Sequence, residues 1–498
     1  MADSQRETET KYDVAPDFAI GELAELAGPG TSVRTQTVEL VSAYYDTAEQ
    51  NLLRSQLTLR RRTGDADTGW HLKVPGAGFR TELHWPLAGD DLAGDDEAPH
   101  ELRRLIQPFT GGAALIPTVT LKTTRTARRV CAADGRLVFE LADDEVRASP
   151  DGLPVVLPRW RELEVELGPA GTAADLGRAG EVLVQRGAFA SRSGSKLRRA
   201  LAGQPQDEPA ARTAAATVAR YLRAQCDAIT AGHFAISLKP GELEATSEPH
   251  EAIHSTRVAT RRLRATLRAF APLFRAEAAT RLEAELAWFA AELGEVRDRE
   301  VLRSRLARAV DELPAYLVVG PVAQRIDEVL LTELRQHTDA LLATMRDERY
   351  RVLIQDLARW REQPPFSPAA AGPVSVLSEQ VAATERTLAK RMKRAAGKQR
   401  PDEELHRARK AGKRARYAAE AAAPVLGKRA SKLAKTAANL QTLLGEHQDA
   451  IVATELLRRI ADQVADEGDN AFTYGILVAD QRRTAAASAQ AARASTQG

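Results

Sequence analysis

Cysteine is nearly absent from this sequence: Cys131 and Cys226 are the only two in 498 residues. Two thiols so far apart build neither a disulfide framework nor a metal–thiolate motif, which suits a reducing compartment. Aromatic residues make up 5% of the chain. That is too few for the stacking platforms of single-stranded nucleic-acid binding, and no nucleic-acid motif is present, so DNA and RNA are disfavoured as partners. No stretch approaches the ~20 apolar residues of a membrane helix. The segment Met1 to Lys11 is polar and charged and lacks the apolar centre of a targeting signal. The chain is therefore expected in the cytoplasm, with no membrane partner. Overall charge of one sign is also lacking, the formal net charge being +2, so only the distribution of charge carries information.

Hydrophobic content of 44% and charged content of 28% fit a globular protein. A chain this long exceeds one core and predicts at least two domains. Residues 1–203 read as strand-rich, with short runs at Val38–Tyr45, Leu57–Arg62, Trp70–Val74, Arg80–Pro86, Ala127–Ala132, Arg136–Ala142 and Arg161–Leu167. Turn signals separate them at Gly64-Asp65, Gly76-Ala77-Gly78 and Asp134-Gly135. Residues 204–211, which include Pro205 and Pro209, read as a linker. From there to residue 495 Ala, Leu, Arg and Glu dominate with helical periodicity, interrupted by proline-rich connections at Leu313–Pro321 and Gln363–Pro373.

On the candidate strands charges recur at alternate positions, which share a face. Glu7, Glu9 and Lys11 form one such set, as do Arg60 with Arg62, Arg80 with Glu82, Glu140 with Asp144, and Glu162, Glu164 and Glu166. A single set is ordinary for a solvated face. Acids sorted onto some strands and bases onto others are not. Grouped carboxylates hold a hard divalent ion through oxygen, and grouped bases hold phosphate, Arg with a bidentate fork. A barrel with its charges inside explains that sorting.

These residues resemble the CYTH domain, or triphosphate tunnel metalloenzyme, family. Glu7-Thr8-Glu9-Thr10-Lys11 is similar to its E-x-E-x-K signature. Tyr44-Tyr45-Asp46-Thr47, Leu59-Arg60-Arg61-Arg62, Lys73, Arg80-Thr81-Glu82, Lys122 with Arg125, Asp144, Glu162-Leu163-Glu164 and Ser195-Lys196 follow in order. The resemblance implies an eight-stranded antiparallel β-tunnel barrel with helices. It implies Mg²⁺ or Mn²⁺ on Glu7, Glu9, Asp144, Glu162 and Glu164, and triphosphate on Lys11, Arg60, Arg62, Lys73, Arg80, Glu82, Lys122, Arg125 and Lys196. Glu7, Glu9 and Lys73 would be catalytic. The fuller pattern R-x-E-x-E ends here on His84, so an idle, merely binding tunnel stands beside the hydrolytic one. Lys122 and Arg125 are out of phase on one strand, so a bulge must intervene if both face inward.

The helical half contains a duplication. His254, Arg257, Arg261 and Arg264 recur as His406, Arg409, Lys413 and Arg416, with offsets of 0, 3, 7 and 10 that lie on one helix face. Leu293-Gly294-Glu295-Val296-Arg297-Asp298 recurs as Leu444-Gly445-Glu446-His447-Gln448-Asp449. From His254 to Arg275 there are six arginines and no acid, and from Thr384 to Arg416 thirteen Lys or Arg against four Asp or Glu. A solvated helix intersperses its charges, so an unbalanced stripe repeated at one spacing calls for a polyanion. Each histidine could donate to phosphate or partner Asp298 or Asp449. The segments resemble the CHAD domain over residues 212–495. That resemblance implies an all-α fold of duplicated four-helix bundles. It also implies inorganic polyphosphate bound by the stripe residues and by Arg262, Lys410 and Arg414, with polyphosphate granules as a location. The substrate stays open between tripolyphosphate, a nucleoside or thiamine triphosphate and long polyphosphate, and cyclic-AMP synthesis also occurs in part of the CYTH family.

Overall fold

The structure is a computed structural model that describes residues 3–21, 31–75, 80–87, 97–150, 159–191, 193, 195–202, 213–238, 249–396 and 401–495. The side chains of residues 3–7, Pro150, Pro249, His250, Pro401 and Asp402 lie outside that description, as do the expected linker at 204–211 and the expected turn at 76–78. The chain divides into two compact units. One comprises Met1–Pro209 with His233–Glu248, the other Ala210–Gly232 with Pro249–Gly498.

The first unit is built on one antiparallel sheet. Its strands are β1 Asp3–Glu7, β2 Glu9–Val14, β3 Ser32–Asp46, β4 Thr58–Thr63, β5 Gly69–Pro75, β6 Arg80–Pro86, β7 Ile116–Cys131, β8 Leu137–Pro150, β9 Arg159–Leu167 and β10 Phe189–Ala190. Helices α1 Asn51–Arg54, α2 His100–Thr110, α3 Ala173–Gln185 and α4 Lys196–Ala202 flank it. The strand order is β1-β6-β5-β4-β3-β7-β8-β9-β2-β10. Among the described residues the sheet has ten strands, not the expected eight. The N-terminal segment is split at Thr8, so that Glu7 pairs with Arg80 of β6 while Glu9 pairs with Glu166 of β9, and β10 adds a short strand beside β2. The two halves of one extended segment thus pair near opposite ends of the strand order.

Alternation decides which face is charged. On β8 and β9, Phe139, Leu141, Leu163 and Val165 pack with Leu176, Ala179 and Leu183 of α3 in one apolar cluster. Each of the larger side chains contributes roughly 1.5–3 kcal/mol by leaving water. The intervening Glu140, Asp144, Glu162, Glu164 and Glu166 must then point to the other face. Gly64 is required in the β4–β5 turn, since its φ is +116° and a Cβ there would meet the Glu39 carbonyl oxygen at 2.0 Å. Asp46 caps the turn after β3, accepting hydrogen bonds from the backbone N–H groups of Thr47, Leu52 and Leu53 at 2.7–2.9 Å.

The second unit is helical. Its helices are α5 Ala214–Ser237, α6 Pro249–Ala269, α7 Ala276–Asp311, α8 Val322–Thr344, α9 Glu348–Glu362, α10 Ser375–Ala395, α11 Pro401–Leu426, α12 Lys428–Asp466 and α13 Phe472–Ala494; the last residues of α5, from His233, group with the first unit. The proline-rich stretches fall between α7 and α8 and between α9 and α10, as expected. Helices α6, α7 and α8 recur as α11, α12 and α13, each with its long helix in the middle. Helix α12 serves two cores. Its first half packs with α10, α11 and the end of α13, and its second half with the end of α7, α8 and the start of α13. Among the described residues no helix is long and apolar enough to cross a membrane.

Candidate functional site: a charged cavity and a duplicated basic stripe

The charged sheet face lines a cavity of about 980 Å³. Its walls include Glu9, Lys11, Arg60, Arg62, Lys73, Arg80, Glu82, Arg125, Asp144, Glu164 and Lys196. Eleven of the expected side chains therefore converge, although they come from seven strands and one helix. The side chain of Glu7 lies outside the described residues. Lys122 corrects the expectation. It is exposed, and β7 pairs with β3 and β8 in unbroken register from residue 122 through 129, so strand parity turns it away from the face that carries Thr123 and Arg125.

The deepest part is a knot of opposite charges. Asp144, Glu162 and Glu164 are 0%, 4% and 8% exposed, so they are not a solvated face. One oxygen of each lies within 4.8 Å of the others. Like charges 4 Å apart repel by about 4 kcal/mol at an effective dielectric constant of 20, so the cluster needs cations. Lys196, at the start of α4, places Nζ 3.0 Å from Asp144, 2.9 Å from Glu162 and 2.7 Å from Glu164. Arg125 donates to Asp144 at 2.6 Å and to Glu164 at 2.7 Å. Lys11 lies 2.5 Å from Glu164 and 3.2 Å from Glu9.

These contacts set the ionisation. Burial alone would raise Glu164, but Lys11, Lys196 and Arg125 hold it well below the usual carboxylate range. Asp144 is likewise lowered against its burial by Arg125 and Lys196. The Lys196 ammonium is pushed well above its ordinary value, because Glu162, Glu164 and Asp144 outweigh burial. Glu166 lacks such partners: burial pushes it up to about 6, with Lys73 opposing and Glu9 adding to the rise.

At the far wall Glu82 lies 3.0 Å from Arg60 and 3.5 Å from Lys73. Arg62 pairs with Asp65 and lies 3.6 Å from Asp67. His84 shares the β6 face of Arg80 and Glu82 and stacks on His71, their ring centroids 4.5 Å apart. Residues not singled out as ligands also line the cavity: Arg34, Arg129, Glu140 and Glu166. The signal that could have found Arg129 is its parity with Arg125, and for Glu140 and Glu166 their parity with Asp144 and Glu164.

In the helical unit the two stripes form one cationic cluster. Arg257 and Arg261 on α6 act on Lys413 of α11, as does Arg409. Burial and these like charges pull the Lys413 ammonium down to about 7. The following motif positions the arginines. Asp298 accepts from Arg257 at 2.7 Å, and Asp449 lies 4.0 Å from Arg409. A Cβ on Gly294 would lie 3.4 Å from the Arg257 guanidinium, and one on Gly445 4.0 Å from that of Arg409. Each repeated glycine thus faces the guanidinium of its stripe arginine at ordinary van der Waals distance. The acids partner arginines rather than histidines, while His406 meets Gln448 at 3.0 Å and His254 is exposed. Arg261 donates to the Tyr417 hydroxyl at 3.0 Å. Arg262 and Arg416 share Glu420, and Arg264 pairs with Glu283. Lys410 is exposed and Arg414 half-buried.

Similarity to known proteins follows the same division. The CYTH domain family matches residues 5–201 and the CHAD domain family residues 238–458. Two Mycobacterium tuberculosis proteins, uncharacterized protein MT2285 of strain CDC 1551 / Oshkosh and uncharacterized protein Rv2226 of strain ATCC 25618 / H37Rv, are each 31% identical over 490 residues. That covers 95% of this chain and 92% of each relative. Among solved structures, PptA from Streptomyces chartreusis is similar with a TM-score of 0.49 at 24% identity, over 57% of this chain and 100% of its own. The CHAD domain from the plant Ricinus communis has a TM-score of 0.46 at 23% identity, over 57% of this chain and 92% of its own. The chain therefore belongs to the family in which an N-terminal CYTH domain is fused to a C-terminal CHAD domain.

Proposed function

We propose that the first domain, residues 1–203, hydrolyses inorganic triphosphate or the end of a polyphosphate chain with a divalent metal, and that the second, residues 212–495, binds inorganic polyphosphate. In this reading the sheet closes as an eight-stranded tunnel, with β1 and β2 acting as one strand. The observation that carries it is the ammonium of Lys196 held among three buried carboxylates beside a cavity that Lys11, Arg60, Arg62, Lys73, Arg80 and Arg125 also line. Anion binding alone does not need buried acids there.

The donor set fits a hard ion. Asp144, Glu162 and Glu164 offer oxygens only, as Mg²⁺ or Mn²⁺ prefers, and Lys196 stands in for a cation at their centre. Glu9 is near enough to Lys11 to join them. The ion would neutralise phosphate oxygens and polarise the phosphoryl group. The chain's own cations do the rest. Lys11, Arg125 and Lys196 exchange carboxylate oxygens for phosphate oxygens, which would leave Asp144, Glu162 and Glu164 free to hold the ion. Arg60, Arg62, Lys73 and Arg80 hold the remaining phosphates, and Glu166 accepts the proton of the attacking water as the phosphoanhydride P–O bond breaks. Phosphate release from tripolyphosphate, with Mg²⁺ and with chelator, tests this; undiminished release in chelator would refute it.

A second reading, an idle tunnel that only binds polyphosphate at granules, is favoured by His84, which stands where the fuller R-x-E-x-E pattern ends in glutamate. Tight tripolyphosphate binding without turnover at any Mg²⁺ concentration would select it. Comparing tripolyphosphate, ATP, thiamine triphosphate and long chains identifies the substrate.

A further inference from the structure

The β4–β5 turn and strand β6 gather a second set of ligand-type atoms, apart from the carboxylate–lysine knot. Asp67, His71 and His84 each offer one, and all lie within 4.8 Å of one another. His71 is buried, His84 partly buried, and Asp67 half exposed. His84 stands where the CYTH pattern has a glutamate.

Hydrogen-bond partners fix the tautomers. His71 Nε2 lies 2.9 Å from the Asp67 carbonyl oxygen, and His84 Nε2 lies 3.4 Å from that of Thr68. A carbonyl only accepts, so each Nε2 carries the proton and each neutral ring presents a bare Nδ1 lone pair. Both lone pairs face acceptors. His84 Nδ1 is 3.5 Å from Asp67 Oδ1, and His71 Nδ1 is 3.0 Å from Glu82 Oε1 and 4.0 Å from Asp67 Oδ2. Among the described residues no hydrogen-bond donor reaches His71 Nδ1, which is buried. Acceptors facing acceptors require a positive species between them. Protons would place charge on two rings stacked 4.5 Å apart beside Arg60. A cation held by neutral rings avoids that. Histidines that ligate metals hand their other N–H to a backbone carbonyl or carboxylate, as both rings do here.

We propose that Asp67, His71 and His84 form a site for a borderline divalent transition ion of the Zn²⁺, Co²⁺ or Ni²⁺ class, separate from the all-oxygen cluster of Asp144, Glu162 and Glu164. Imidazole nitrogen favours these ions over Mg²⁺. Ligand atoms about 2.0–2.1 Å from a tetrahedral ion stand about 3.3–3.4 Å apart, close to the 3.5 Å between His84 and Asp67. Binding swings the His84 ring, the more exposed of the two, out of its stack. Glu82 Oε1 is the nearest further oxygen. An ion here ties the β4–β5 turn to β6 at one wall of the cavity.

The test uses the full-length protein, stripped with chelator and held in excess Mg²⁺ so that the oxygen cluster is saturated, with Co²⁺ as the probe. One equivalent of Co²⁺ is expected by dialysis and metal analysis, with d–d absorption from mixed nitrogen and oxygen ligands and a raised melting temperature. His84→Phe, which keeps an aromatic ring on His71, and Asp67→Ala lose the equivalent, the absorption and the stabilisation while keeping the wild-type circular dichroism. Glu164→Gln keeps them. No bound equivalent in the wild type, an equivalent retained by both variants, or its loss in Glu164→Gln would each overturn the site. Neither variant alters the fully buried His71, so the result does not hinge on a side chain the fold needs.

Discussion

Lys196 and Lys413 sit in the two halves of the molecule under opposite electrostatic rules. Burial disfavours the charged form of both. In the sheet domain three carboxylates reverse that, and Lys196 is held charged. In the helical domain Arg409, Arg261 and Arg257 reinforce it, and Lys413 falls to about 7. The lesson is that a basic cavity and a basic stripe are different devices. The first is internally neutralised and must exchange its partners to take up an anion. The second leaves like charges acting on one another around Lys413, and in the proposed function an anion would relieve them.

The largest expected effect breaks the neutralised side. Glu164→Gln leaves Lys11, Lys196 and Arg125 short of a shared partner. Loss of one preorganised electrostatic group lowers kcat by about two to three decades, so turnover of tripolyphosphate should fall by about two decades or more at saturating Mg²⁺. Wild-type phosphate release from this variant would mean the knot is scaffolding only.

On the other side, Arg257, Arg261, Arg409 and Lys413 changed together to Ala should abolish most polyphosphate affinity and leave helicity intact, because none of the four is a buried core side chain. The salt dependence should flatten too: each neutralised phosphate contributes roughly 0.7–0.9 to the slope of log K against log salt. Titrating full-length protein with long-chain polyphosphate at several salt concentrations checks both, and an unchanged slope would refute the stripe as the binding surface.

Arg60→Ala tests the cavity wall more gently. Loss of a charged hydrogen bond is worth roughly 1.5–3 kcal/mol, one to two decades in kcat/KM. Part of that is returned because Glu82 keeps Lys73. Steady-state kinetics that match the wild type would place phosphate elsewhere in the cavity.

The smallest effect sharpens the contrast through pH. Lys413 titrates near 7 in the folded chain and near 10.4 unfolded. Between those values the unfolded chain binds the extra proton, so stability of the helical domain should rise with pH from about 7 to 10. Polyphosphate prefers the protonated lysine, so its affinity should fall a few-fold from pH 6 to 8 in the wild type and less in Lys413→Met. Parallel pH profiles for the two proteins would remove Lys413 from the binding surface.

Much of this was legible because period and sign are local properties. Alternation placed Arg60 with Arg62 and Glu162 with Glu164, and offsets of 0, 3, 7 and 10 placed His254, Arg257, Arg261 and Arg264 on one face. The duplicated motif was legible as a repeat, but its purpose was not. That Asp298 accepts from Arg257 depends on how two helices lie together. Lys122 shows the limit from the other side: the question of a bulge could be posed from parity, and only the unbroken register of β7 answered it.

By itself, the order of residues determined that acids and bases are sorted, that the stripe is repeated, and that β9 has one apolar and one acidic face. Only tertiary structure decided that the acidic face is buried as well as the apolar one: α3 covers Leu163 and Val165, and the charges opposite them turn into a cavity instead of solvent. It alone brought Lys196, from the start of a helix, within 3.0 Å of carboxylates on two strands, and it alone set His84 on His71 beside Asp67. Charges and ring nitrogens act over a few ångströms, and which groups come that close is settled by strand pairing and packing, not by spacing along the chain.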